Sequence, residues 1–138
     1  MATLDDLKSS LAEIKSQLKD KEKERKRYLA IASDIDAVYE RLAEDKKIMK
    51  GYRDSVKDFS KESYDDFKGN LYKNSYQNSV SDLVENYNEV ISNIDANMDA
   101  LNLEKANYEN KASRCYGLIG SFESAVNSLV HRIENWVN

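Results

Sequence analysis

Residues 84–101 read VENYNEVISNIDANMDAL, and the spacing of their apolar members decides the fold. Val84, Tyr87, Ile91, Ile94, Met98 and Leu101 follow one another at intervals of three and four. A strand would alternate every second residue, whereas this 3.5-residue period marks a helix packed along a seam. Toward the N-terminus the series begins at Val80. Toward the C-terminus it continues through Lys105, Tyr108, Ala112, Cys115, Ile119, Phe122, Val126, Leu129, Ile133 and Trp136. The first half of the chain carries a matching series: Leu4, Leu7, Leu11, Ile14, Leu18, Lys21, Arg25, Tyr28, Ala32, Ile35, Tyr39, Leu42, Lys46, Met49, Arg53 and Val56. Thr3 and Asp6 stand as N-cap and N3 residue, close to a capping box, at its start.

Composition agrees with this reading. The 138 residues include 4 glycines and no proline, with 41% hydrophobic and 33% charged residues. Such a chain runs unbroken helices and lacks the turn residues of a sandwich or barrel. The expected fold is all-α: a long antiparallel helical hairpin, coiled-coil-like, in a single domain over 1–138. One helix is expected over about 4–58, a turn over about 59–72 and a second helix over about 73–136. Polar, helix-weak residues gather between Phe59 and Asn78, where the register decays. Gly117 and Gly120 lie off the seam, which crosses them in phase, so a continuous second helix, straight or kinked there, is expected, with a short third helix as the alternative.

The totals also bear on function. The net charge is -4 with both signs interspersed, so no concentrated basic surface offers itself to nucleic acid. No apolar run approaches the ~20 residues of a membrane span. Residues 1–6 lack the basic and apolar regions of a Sec-type signal peptide, so a cytoplasmic chain is expected. Cys115 is the single cysteine, which excludes an internal disulfide and a cysteine-based zinc cluster, and it reads as a small seam hydrophobe.

Catalytic chemistry is not expected. His131 is the one histidine and reads as solvent-facing near a helix end, so no histidine pair or Ser-His arrangement forms within the chain. Asp5-Asp6, Glu44-Asp45 and Asp65-Asp66 are adjacent on helices or the turn, where neighbouring side chains diverge by about 100°. Asp34, Asp36, Asp95 and Asp99 do not follow calcium-loop spacing. No glycine-rich phosphate loop is present, and Tyr87, Tyr108, Phe122 and Trp136 belong to the seam. The expectation is no enzyme, no cofactor and no metal.

Interaction chemistry is the better reading. With each helix lettered on its own seam, Ile31, Val38, Tyr52 and Phe59 fall at g in the first helix. Tyr76, Leu83 and Val90 fall at g in the second. In an antiparallel pair the g positions flank each other, which gives a second apolar strip concentrated toward the turn. It either widens the seam or meets a partner. Lys21, Arg25 and the run from Lys19 to Arg27 interrupt the other end, as a solvated face or a register device.

The turn carries Phe67-Lys68-Gly69 between the two long helices, followed by Tyr72 and Tyr76. An aromatic, any residue, then glycine at such a tip resembles the WxG turn of the WXG/ESAT-6-like small helical proteins of type VII secretion. There the aromatic wedges between the helix ends and glycine permits the tight backbone. Length and helix pattern resemble the YwqH-like group in particular, the α-helical proteins associated with LXG polymorphic toxins. The resemblance spans essentially the whole chain, with Phe67, Lys68 and Gly69 as the WxG-equivalent turn and phenylalanine in the place of tryptophan. It implies a non-catalytic targeting chaperone that binds the helical N-terminal domain of an LXG toxin, alongside a second small helical protein. The Tyr-x-x-x-Asp/Glu export signal is missing: Tyr108 is followed by Ala112, Tyr116 by Gly120, and Phe122 by Val126. The chain is then co-exported on another subunit's signal or retained. The alternative is a generic self-associating coiled-coil adaptor or structural rod, with a homodimer formed when no partner is present.

Overall fold

The computed structural model describes residues 3–61 and 70–137, with side-chain surroundings for 3–59 and 75–136. It contains two helices, α1 (Leu4–Lys61) and α2 (Asn70–Val137), and no strand among the described residues. The fold is an all-α helical hairpin. Phe67, Lys68, Gly69 and the Asp65-Asp66 pair lie outside the described residues.

α1 opens with a reciprocal cap. The Asp6 amide donates to Thr3 Oγ1 at 3.1 Å, and the Thr3 amide donates to Asp6 Oδ2 at 2.9 Å. Those bonds satisfy donors that the first helical turn leaves open. They also hold the Asp6 carboxyl below its ordinary pKa, the backbone hydrogen bond with Thr3 being the larger cause.

The helix ends depart from expectation. α1 continues to Lys61 and α2 starts at Asn70, so both invade the turn expected over 59–72. Asparagine and serine lower helix propensity by only tenths of a kcal/mol each, too little to stop a helix whose next turns are held by packing. As expected of a heptad that crosses them in phase, α2 runs uninterrupted through Gly117 and Gly120. The Ser121 hydroxyl donates back to the Gly117 carbonyl at 3.2 Å.

The chain divides into two compact units. Unit 1 joins Met1–Asp34 to Glu104–Asn138, and unit 2 is Ile35–Leu103. In unit 1 the core consists of Leu7, Ala32, Ala112, Cys115, Ile119 and Leu129. The expected seam of each helix is buried or half-buried in both units, with one exception. Trp136 is 55% exposed.

Unit 1 also holds the polar interruption of the seam. Lys21 donates to Glu24 at 2.8 Å, and the Tyr28 hydroxyl donates to Glu24 at 3.3 Å. The Arg25 guanidinium stacks 5.3 Å from the Tyr116 ring centre, and Tyr28 lies 6.1 Å from Tyr108 with Lys111 over both rings. Neither Lys21 nor Arg25 is a fully solvated residue: both are half-buried within an aromatic and ionic layer.

In unit 2, Lys46 pairs with Asp95, and Arg53 donates to the Asn88 side chain at 3.0 Å. The second contact lies one heptad up α1 and one heptad down α2 from the first. That is the signature of antiparallel pairing at a 3.5-residue period. Ile91 is the one buried hydrophobic residue of this unit among the described residues.

Two predictions follow from the helices themselves. A Cβ at Gly51, Gly117 or Gly120 would meet nothing within 4 Å. Each glycine-to-alanine change is therefore expected to raise stability by about 0.5–1 kcal/mol, measured by urea denaturation. The hydrogen bond from Lys21, reinforced by its charge, holds Glu24 below its ordinary 4.5, while the hydrogen bond and charge of Glu24 hold Lys21 above 10.5. Their joint contribution is complete between those two ordinary values. It fades as pH falls through the depressed Glu24 value and as pH rises through the raised Lys21 value. Glu24→Gln should flatten that part of the acid limb in a plot of urea midpoint against pH.

Candidate interaction surface

The seam occupies positions a and d of each helix, so a neighbouring helix covers only one stripe. In unit 2 a second stripe emerges at g and c. On α1 it runs Val38, Arg41, Asp45, Ile48, Tyr52, Ser55 and Phe59, again at intervals of three and four. On α2 it runs Tyr76, Ser79, Leu83, Asn86, Val90, Asn93, Asn97 and Ala100. Arg41 and Asp45 are its only charges. The other charged residues of 36–59 and 76–100 lie on the seam or at b, e and f.

Exposure follows the same division. Val38 is 40% exposed, Ile48 48%, Tyr52 54%, Phe59 49%, Leu83 43% and Val90 43%. Tyr76 is half-buried, its ring 6.1 Å from that of Phe59, and Tyr52 leans toward Tyr87 with ring centres 6.5 Å apart. Large apolar side chains left this open cost solvation free energy of roughly 25 cal/mol per Å².

The two stripes converge on a groove of about 390 Å³ lined by Ser55, Val56, Phe59, Tyr76, Ser79, Val80 and Leu83. Its floor comes from seam valines and its walls from g-position aromatics and Leu83. Ser55 and Ser79 at c are small, which lets another backbone approach closely. An apolar trough with small shoulders suits the apolar face of a helix.

The strip read from g positions is thus largely assembled here. Val38, Tyr52, Phe59, Tyr76, Leu83 and Val90 belong to unit 2. Ile31 does not join them: it is half-buried within unit 1. Ile48, Ser55 and Ser79 were missed by a reading confined to g. The signal was present, since each stands three or four residues from a g-position member and at the same heptad position c.

The other candidate positions among the described residues stand apart from this groove. His131 is exposed, its Nδ1 3.6 Å from Glu134. Asp5, Glu44 and Asp45 are exposed on helix surfaces, and Asp6 is engaged in the cap. Among the described residues no cluster of three or more metal-ligating side chains occurs, and no helix is long and apolar enough to cross a membrane. A second hollow, of about 330 Å³, lies in unit 1 between Arg25, Leu29, Glu109, Ala112, Ser113 and Tyr116.

Leu83 and Val80 separate a surface from a core. Leu83→Gln is expected to change stability by less than about 0.5 kcal/mol. Val80→Gln, on the half-buried seam, should cost about 2 kcal/mol. Equal losses in urea denaturation would place Leu83 in the core and remove it from the surface. No family model, curated protein or solved structure matches this chain.

Proposed function

We propose that this protein is a non-catalytic helical partner that holds a helix of another protein against unit 2. The observation that carries this reading is the uncharged, exposed apolar groove between Phe59, Tyr76 and Leu83, in a chain with 33% charged residues. A surface of that kind gains solvation free energy when a helix's apolar stripe fills it. Burial of Tyr52 and Phe59 would supply the aromatic anchors that dominate such contacts.

The partner suggested by the resemblance of the Phe67-Lys68-Gly69 turn is the helical N-terminal domain of an LXG toxin. In this reading the protein is a targeting chaperone of type VII secretion. It keeps the toxin's amphipathic helices covered and, lacking a Tyr-x-x-x-Asp/Glu segment of its own, relies on another subunit for export. The physical role is the same for any helical client: an open apolar stripe is withheld from aggregation by a complementary one.

Co-expression with an LXG N-terminal segment, followed by size-exclusion chromatography with light scattering, tests the assignment. A heteromeric complex is expected. Tyr52→Ser, Phe59→Ser and Leu83→Ser should each weaken it at least about tenfold while leaving the circular dichroism of the helices unchanged. Failure of the unaltered chain to retain the LXG segment would refute the toxin assignment, and unaltered binding by the three variants would refute the groove.

A further inference from the structure

Arg25 carries a charge that the rest of the chain does not answer. Its guanidinium stacks 5.3 Å from the centre of the Tyr116 ring, which occupies one face of the cation. The N–H donors of a guanidinium all point outward in its plane, so stacking satisfies none of them. Nε is buried and meets no acceptor, and Arg25 enters no ion pair or hydrogen bond among the described residues. Nearby carboxylates are engaged elsewhere: Glu24 accepts from Lys21 and Tyr28, and Glu109 pairs with Lys105 at 3.8 Å.

This arginine borders the hollow of about 330 Å³ in unit 1. Ala112 gives the hollow a small, buried floor, while Leu29 and Tyr116 on its walls are 41% and 66% exposed. Glu109 also lines it, one heptad before Tyr116, which sets a negative charge about 10 Å along α2 from the level of the cation. The hollow therefore has a cationic end, an apolar middle and an anionic end.

We infer that this hollow receives a helix of a protein partner whose aspartate or glutamate closes on the Arg25 guanidinium. The same helix lays an aliphatic side chain over Leu29 and Ala112 and directs a lysine or arginine at Glu109, one heptad from its acid. The acid supplies the acceptor that Arg25 lacks, and a charge-assisted bond to a half-buried guanidinium is a strong polar contact. A free anion or a nucleic-acid backbone would meet Glu109 as a like charge, so a segment carrying both signs is the occupant that fits. For a given helix the order of its charges also fixes its direction, since turning it round opposes like charges at both ends.

Leu29, Glu109 and Tyr116 stand at e and Ser113 at b, whereas the groove of unit 2 draws its walls and shoulders from g and c. The two surfaces share no residue. The inference rests neither on that groove nor on the identity of its client.

The test titrates the full chain into a labelled, capped helical peptide of alanine and glutamine that carries one glutamate, a leucine four residues on and a lysine seven residues on. Fluorescence anisotropy is expected to show saturable binding with a Kd of about 1 mM or tighter, and the Arg25 Nε–H resonance should shift with it. Replacing the peptide's glutamate by glutamine, or Arg25→Met in the protein, should weaken binding at least about tenfold, with the circular dichroism of the variant unchanged. Arg25→Glu should reject the original peptide and accept one with lysine in place of its glutamate, a recovery that a misfolded chain cannot give. Equal binding of the glutamate and glutamine peptides, normal binding by Arg25→Met, or preference of Arg25→Glu for the original peptide overturns the inference. A chain that takes the peptide but ignores an LXG segment refutes the toxin assignment alone, and one that retains the segment but not the peptide refutes this inference alone.

Discussion

A helix buries one stripe against one neighbour, and everything else in this protein depends on that limit. Two paired helices have no centre remote from solvent, so no large side chain among the described residues is wholly buried. The buried hydrophobic set is small and uneven: six members lie in unit 1, and Ile91 stands alone in unit 2. Unit 2 has comparable numbers of large apolar residues, but it places seven of them on a second stripe, six of those exposed. What a globular domain would enclose, this unit leaves facing outward.

Polar residues on the seam supply what the thin core does not, a defined register. Heptad repeats are degenerate under a shift of seven residues, so apolar contacts alone would tolerate slippage. Lys46 with Asp95 and Arg53 with Asn88 break that degeneracy. Sliding α2 by a heptad in one direction would oppose Lys46 to Asn88 and Arg53 to Ser81, which loses the ion pair. In the other direction Arg53 would take Asp95, and Lys46 would be left opposite Asn102 without a counter-ion. In unit 1 the Arg25–Tyr116 and Tyr28–Tyr108 stacks serve the same end. Half-burial suits these roles, since a long cationic side chain packs its stem on the seam while its head reaches the rim.

The hairpin was legible in the sequence because its signal is repeated about every seven residues for most of the chain. Where the signal is carried by a few residues, reading was poorer. Asn70, Ser75 and Asn78 suggested a break that the cooperativity of a long helix overrides, whereas at Gly117 and Gly120 the heptad crosses in phase and the expected continuous helix holds. Trp136 was in phase with the seam yet exposed, because periodicity specifies direction and says nothing of whether a neighbour reaches that far. For the second apolar stripe, g-position lettering found Val38, Tyr52, Phe59, Leu83 and Val90, all exposed. It passed over Ile48 and the two serines, whose importance comes from being small or from lying across a turn, and it included Ile31, which packs within the other unit. The Phe67-Lys68-Gly69 motif that carried the family resemblance lies outside the described residues.

The placement of charge divides the second stripe by kind of selectivity. Charged pairs discriminate sharply between partners, because a mismatch leaves a desolvated ion, whereas apolar contacts discriminate mainly by shape. At 38–48 the stripe carries one cation and one anion, a combination that accepts few registers and few partners. At 52–59 and 76–100 it carries only aliphatic, aromatic, serine, asparagine and alanine side chains. Asparagine can turn its amide to donate or accept, and serine leaves room, so this stretch adapts to the side chains set against it. A stripe built this way is exacting toward whatever meets residues 38–48 and permissive toward whatever meets the rest.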